Sequence, residues 1–172
     1  MNTQALLRSG PPTALVTTSG WRDIVTLQID LESAHPNTGW LHLRGTRMRT
    51  VSGFFDELAA AFQLPVWFGC NWDALVDSAR DRAWLAGTIV AIYDAHLLLA
   101  DATDLDRTNL AEVLTRCNRN GKEVDPTDVP ADDEDGFHLV CQVPADEQPA
   151  FLARWQAATL TLADLELAPS AN

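Results

Sequence analysis

Three aspartates at four-residue spacing, Asp73, Asp77 and Asp81, are the residues of this chain best placed to do chemistry. On a helix that begins after Asn71 they fall on one face. Carboxylates at that spacing repel one another, and aspartate is a poor helix former away from the ends. Asp73 is compensated, because an acid in the first turn complements the helix dipole; Asp77 and Asp81 gain much less. A basic partner would offset the cost of the row. The segment in front of it, Leu64-Pro65-Val66-Trp67-Phe68-Gly69-Cys70, sets two aromatics beside the acids. A rigid aromatic next to charged groups is the composition of a protein-binding hot spot. Trp72, Leu75 and Ala79 mark the opposite, core-facing side of the helix.

Other chemistries find less support. His35, His42, His96 and His138 do not pair with one another or with cysteine at metal-ligand spacing. Asp94 and His96 are two apart, a weak signal for general-base work. The run Asp132–Asp135 lacks the glycine and the spaced acids of a calcium loop. Cys70 precedes a helix start, a setting that can activate a thiol, but a small loop residue is the commoner role. No nucleotide-binding glycine motif, nucleophile elbow or zinc signature is present. The expectation is a protein with no cofactor, no metal and no catalytic residue.

Charge narrows the partner. The formal net charge is −12 over 172 residues. Such a field repels nucleic acid and anionic membranes and attracts basic proteins. Residues 1–50 carry three acids against five arginines, so the negative pole lies in the second half of the chain. Three widely spaced cysteines make neither a disulfide framework nor a zinc site and fit a reducing compartment. No signal-peptide core or membrane-spanning run is evident, which leads us to expect a cytoplasmic protein.

The elements that must position the row read as follows. Ile24–Leu31 alternates, with Val25, Leu27, Ile29 and Leu31 on one face, and is predicted as a strand. Trp40–Arg44 is a second strand. Ser52 is a plausible cap for a helix through Phe62, which Leu64-Pro65 stops. Asn71 caps the acidic helix, running to about Arg82. Thr88–Tyr93 reads as a buried strand. Asp94 can cap a short helix holding Leu97, Leu98 and Leu99, and a longer helix spans about Leu105 to Arg119. Lys122–Asp135, with seven acids, reads as a solvated loop. Phe137–Val143 is the last convincing strand and Gln148–Ala158 looks helical. Thr159–Leu167 either continues that helix or forms a strand. The order between residues 40 and 143 points to an α/β layered domain with a parallel sheet.

The run LPVWFGCNWDALVD resembles the signature segment of the barstar family. That signature has Leu-Pro, two residues usually including aromatics, Gly-x-Asn, an apolar residue, then Asp-Ala-Leu-x-Asp. The likeness extends through Leu41–Gly45, Thr50–Phe62, Thr88–Tyr93, Leu110–Gly121 and Phe137–Val143. The resemblance implies a three-layer α/β fold with a small parallel sheet of about three strands packed by helices. It divides the chain into an N-terminal β extension (1–39), a barstar-like domain (40–143) with the acidic loop 122–135 inserted, and a C-terminal helical extension (144–172).

Barstar relatives are stoichiometric inhibitors of barnase-type ribonucleases, of the antitoxin or immunity kind. The resemblance therefore implies that the loop and the acidic helix plug a basic enzyme's active site. Trp67 takes the place of a loop aromatic that covers active-site residues. Gly69 and Asn71 fall at close contacts, Asp73 on an acid that pairs with basic groups, and Asp77 on the acid that occupies the phosphate site. The candidate partner-binding set is Trp67, Phe68, Gly69, Asn71, Asp73, Val76, Asp77, Asp81, Trp84 and Arg116. Arg116 stands where the family carries an acid, and Val76 where it carries an aromatic. These departures point to a ribonuclease other than barnase. The alternative is a barstar-like binding or regulatory module for a non-nuclease partner.

Overall fold

A computed structural model describes residues 14–80, 88–118 and 138–167. In chain order the elements are β1 (Ala14–Thr17), α1 (Trp21–Ala34), β2 (Gly39–Arg44), α2 (Val51–Ala61), α3 (Trp72–Arg80), β3 (Thr88–Tyr93), α4 (Asp104–Asn118), β4 (His138–Gln142), α5 (Gln148–Ala157) and β5 (Leu162–Asp164). The five strands form one parallel sheet in the order β2-β3-β4-β1-β5. The α/β class and the three layers agree with the sequence reading. The sheet, however, has five strands rather than about three. The two additional strands come from the segments on either side of the 40–143 region.

Parallel strands are connected by helices, so both faces are covered and the strands lose the alternation that marks a half-exposed sheet. Ala14–Thr17 is buried throughout, as is most of β3 and β4. On one face Val16, Leu43, Val90, Ile92, Leu139 and Cys141 meet Phe54 and Phe55 of α2, Leu75 of α3, Leu110 and Val113 of α4, and Phe151 and Trp155 of α5. On the other face Leu15, Ile89 and Val140 meet Leu27 and Leu31 of α1, with Trp40, Leu165 and Leu167 packed around them.

The N-terminal region corrects the sequence reading. Ile24–Leu31 is part of helix α1, and the strand of this region is Ala14–Thr17. Two periodicities overlap there. The alternating set requires Ile29 inside, yet Ile29 is 58% exposed, while Ile24, Leu27 and Leu31 are buried at helical spacing. Asp23 reinforces the helix by accepting a hydrogen bond from the Gly20 amide (3.0 Å). At the other end, Thr159–Leu167 contains the short strand β5, beside β1.

Smaller differences concern caps. Thr50, not Ser52, caps α2, its Oγ1 accepting from the Gly53 amide (3.2 Å). The expected short helix around Leu97–Leu99 is a single 3-10 turn at Ala95–Leu97, opened by Asp94 in a left-handed conformation. Helix α4 starts from a reciprocal cap: Thr103 Oγ1 accepts from the Asp106 amide and Asp106 Oδ2 from the Thr103 amide.

One ion pair joins α2 to the sheet edge. Glu57 of α2 is nearly buried and accepts from the Arg44 amide, Nε and Nη2 at 3.1, 2.7 and 2.9 Å. These bonds hold the Glu57 carboxyl below its ordinary range, although burial works against them.

Two predictions follow from this packing. Leu27→Ala should cost about 2–4 kcal/mol in urea unfolding, and Ile29→Ala about 0.5 kcal/mol or less in dilute solution. A strand would place both residues on its inner face and make the two losses similar. Glu57→Gln should lower the thermal midpoint at neutral pH. Because the folded-state pKa of Glu57 is depressed, that deficit should shrink as pH falls through the carboxylate range, where the wild type loses the same interaction. Melts between neutral and acid pH measure it.

Candidate functional site

The site is built on the junction between α2 and α3. Helix α2 ends with Gln63 in a left-handed conformation (φ 50°), the Leu64 amide donating to Ala59 O (2.9 Å) and the Gln63 amide to Ala60 O (3.4 Å). This Schellman ending reverses the chain, and Pro65 prevents the helix from resuming. The Phe68 amide donates to Pro65 O (2.8 Å), closing a tight turn over Pro65–Phe68.

That turn separates its two aromatics. Phe68 is 7% exposed and packs against the Phe55 ring, with centroids 6.1 Å apart. Trp67 is 80% exposed, and Val66 beside it is fully exposed. Of the two aromatics expected at the surface, then, Trp67 is outside and Phe68 is inside. The reason is room: Phe68 fills the space left by Phe55 under the loop, and the turn directs its neighbour away.

Asn71 joins the loop to the helix. Its Oδ1 accepts from the Ala74 amide (2.9 Å), the side-chain N-cap expected from the sequence. Its Nδ2 donates back to Gly69 O (2.9 Å). Gly69 lies so near this amide that an added Cβ would stand 2.8 Å from Asn71 Nδ2 and 3.3 Å from Ala74 Cβ. A side chain there would push the cap apart. Cys70, between them, is exposed and left-handed (φ 45°).

Helix α3 is fixed from below by Leu75, which is buried, and by Trp72. The Trp72 ring lies 5.6 Å from Phe54 and 5.1 Å from Phe55. Its Nε1 donates to Asp106 Oδ1 (3.4 Å) at the first turn of α4. Asp106 also accepts from the Thr103 hydroxyl (2.6 Å), and this bond above all keeps its carboxyl below the usual range. Asp106 was not singled out from the sequence. The Thr-x-x-Asp spacing marks it as a cap residue, but nothing local marks it as a partner of Trp72.

The remaining expected residues divide clearly. Asp73 and Asp77 are exposed on the outer side of α3. Val76 is half-buried against the main core, so its side chain supports the helix as well as bordering the acids. Asp81 and Trp84 lie outside the described residues. Arg116 belongs to α4, and its side chain also lies outside what is described. No group of His, Cys, Asp and Glu able to hold a metal ion occurs among the described residues. No described helix is long and apolar enough to cross a membrane.

The structure is that of a three-layer α/β protein that presents an anchored aromatic loop and an acidic helix face. Residues 39–142 match the family described as Barstar (barnase inhibitor), and the chain belongs to the barstar family. The family is one of inhibitors rather than of enzymes. The match runs from β2 to the end of β4, leaving β1, α1, α5 and β5 outside it. No curated protein matches the sequence.

Asn71→Ala removes the cap and the bond to Gly69 together. It should cost about 1 kcal/mol in urea unfolding and speed hydrogen exchange at the Ala74 amide. Asn71→Asp, which keeps an acceptor for that amide, should lose less by both measures.

Proposed function

We propose that this protein is a stoichiometric inhibitor of a ribonuclease, of the antitoxin or immunity type, and that α3 with its preceding loop blocks the enzyme's active site. The observation that carries the reading is the exposure of Trp67, Asp73 and Asp77 together on a loop and helix whose backbone is already fixed by Phe68, Asn71 and Trp72. A ribonuclease binds RNA phosphate with arginine, lysine and histidine. Carboxylates held in place can take the phosphate's position and make charge-assisted hydrogen bonds to those groups. In this reading Asp77 occupies the phosphate position, Asp73 pairs with neighbouring basic groups, and Trp67 covers the groove beside them. Gly69 and Asn71 contribute by shaping the loop, and Phe68 by anchoring it.

A fixed backbone favours tight binding, because little conformational freedom is lost on association. Arg116 and Val76 favour a basic ribonuclease other than barnase, since a cation in place of an acid repels the group that an acid would have paired with. The protein is proposed to act in the cytoplasm, where an active ribonuclease would meet cellular RNA.

The test is inhibition of a basic ribonuclease recovered with this protein from its own cells. Asp77→Ala should weaken binding at least about 30-fold while leaving the unfolding midpoint near that of the wild type. Equal inhibition by the variant would remove α3 from the site. The association rate should fall steeply as salt rises, as charge steering requires. A partner that lacks nuclease activity, bound through the same aspartates, would favour the binding-module reading instead.

A further inference from the structure

Val66 and Trp67 occupy the two central positions of the turn that the Phe68 amide closes on Pro65 O (2.8 Å). Such positions usually hold Gly, Asn, Asp, Ser or Pro, which supply the backbone geometry or bond the backbone locally. Valine does neither. Val66 is also 106% exposed, so it adds nothing to the core. A serine would serve this turn at least as well, and the fold does not account for the valine.

A lone exposed apolar residue is ordinary. Among the described residues the exposed large apolar side chains are Trp21, Ile29, Val66, Trp67 and Leu105, and only Val66 and Trp67 are neighbours in the chain. Their backbone is held on both sides. The Leu64 amide is bonded to Ala59 O, and Phe68 is buried against Phe55. The pair therefore projects from a fixed support.

The charge pattern says what meets it. Charged residues make up 21% of the chain, yet from Leu58 through Trp72 there is none. Asp73 and Asp77 follow directly on α3. The start of α3 is thus a boundary, with an uncharged apolar surface before it and an anionic one after it. A partner that offers cations to Asp73 and Asp77 gains nothing from a cation facing the loop. A charge there would lose its water without finding a counter-charge. The surface that complements the loop is uncharged and apolar.

Resting on the inhibitor reading of this site, we infer that the target ribonuclease carries an apolar, uncharged recess beside its basic groove, and that Val66 fills it together with Trp67. Val66 is then a contact residue that selects among ribonucleases. Acids suit any groove that binds phosphate, whereas the recess distinguishes one enzyme from another. The two parts of the surface also divide the kinetics. The acids speed encounter, and the apolar pair slows departure.

The probe is the basic ribonuclease recovered with this protein from its own cells, and association and dissociation rates are the readout. Val66→Ser should dissociate about tenfold faster, with its association rate, the salt dependence of that rate and its unfolding midpoint unchanged. Val66→Ile, which stays apolar, should lose less than Val66→Ser. Ile29→Ser alters an exposed apolar residue of α1, on the other side of the sheet, and should change neither rate. Unchanged dissociation of Val66→Ser, with Asp77→Ala still weakened, overturns the recess and leaves the inhibitor reading standing. An equal loss in Ile29→Ser overturns it too, because general surface apolarity then accounts for the effect. Wild-type binding by both Val66→Ser and Asp77→Ala, or recovery of no ribonuclease, overturns the inhibitor reading of the site and the recess with it.

Discussion

The acidic surface of α3 depends on a group of four rings: Phe54, Phe55, Phe68 and Trp72. Phe54 and Phe55 come from α2, Phe68 from the loop and Trp72 from the first turn of α3. Aromatic pairs at these separations contribute beyond the area they bury. Their placement matters more here than their sum. Two rings on one helix grip the loop on one side and the next helix on the other, so the intervening residues have little freedom. Trp67, which touches none of these rings, is directed outward because Phe68 is held inward. The exposed tryptophan and the acids after it are thus a consequence of the core, not an addition to the surface.

The same economy is visible in the polar groups. Asn71 caps α3 with one atom of its amide and closes the loop with the other. Asp106 accepts from the Thr103 amide at the start of α4 and from the Trp72 indole. Each side chain serves two groups at once, and the Trp72 indole, whose bond is partly buried, would lose most without its partner. The starts of α3 and α4 are thereby linked.

Much of this was legible in the sequence, and the exceptions are instructive. The Leu-Pro stop, the Asn71 cap and the four-residue spacing of the acids are local signals, and local signals survive folding. Val66 through Phe68 offered two adjacent aromatics, but residue type alone does not say which of them a core has room for. Segment 24–31 satisfied a strand pattern and a helix pattern at once, and the choice was made by what α1 packs on, not by its own order of residues. Ala14–Thr17 and Leu162–Asp164 are short strands, and β1, paired on both edges, shows no alternation. The bond from Trp72 to Asp106 joins separate elements and had no sequence signal at all.

The position of β1 has a bearing on how the chain assembles. It lies between β4 and β5, so Ala14 pairs with Leu139 and with Leu162. During synthesis β1 has neither of its sheet neighbours until β4 has left the ribosome. The β2–β3 pair and the helices between them can form earlier from contacts close in sequence. Closure of the sheet around β1 is accordingly a late event, and until then the apolar Leu15 and Val16 must wait unpaired on a nascent chain.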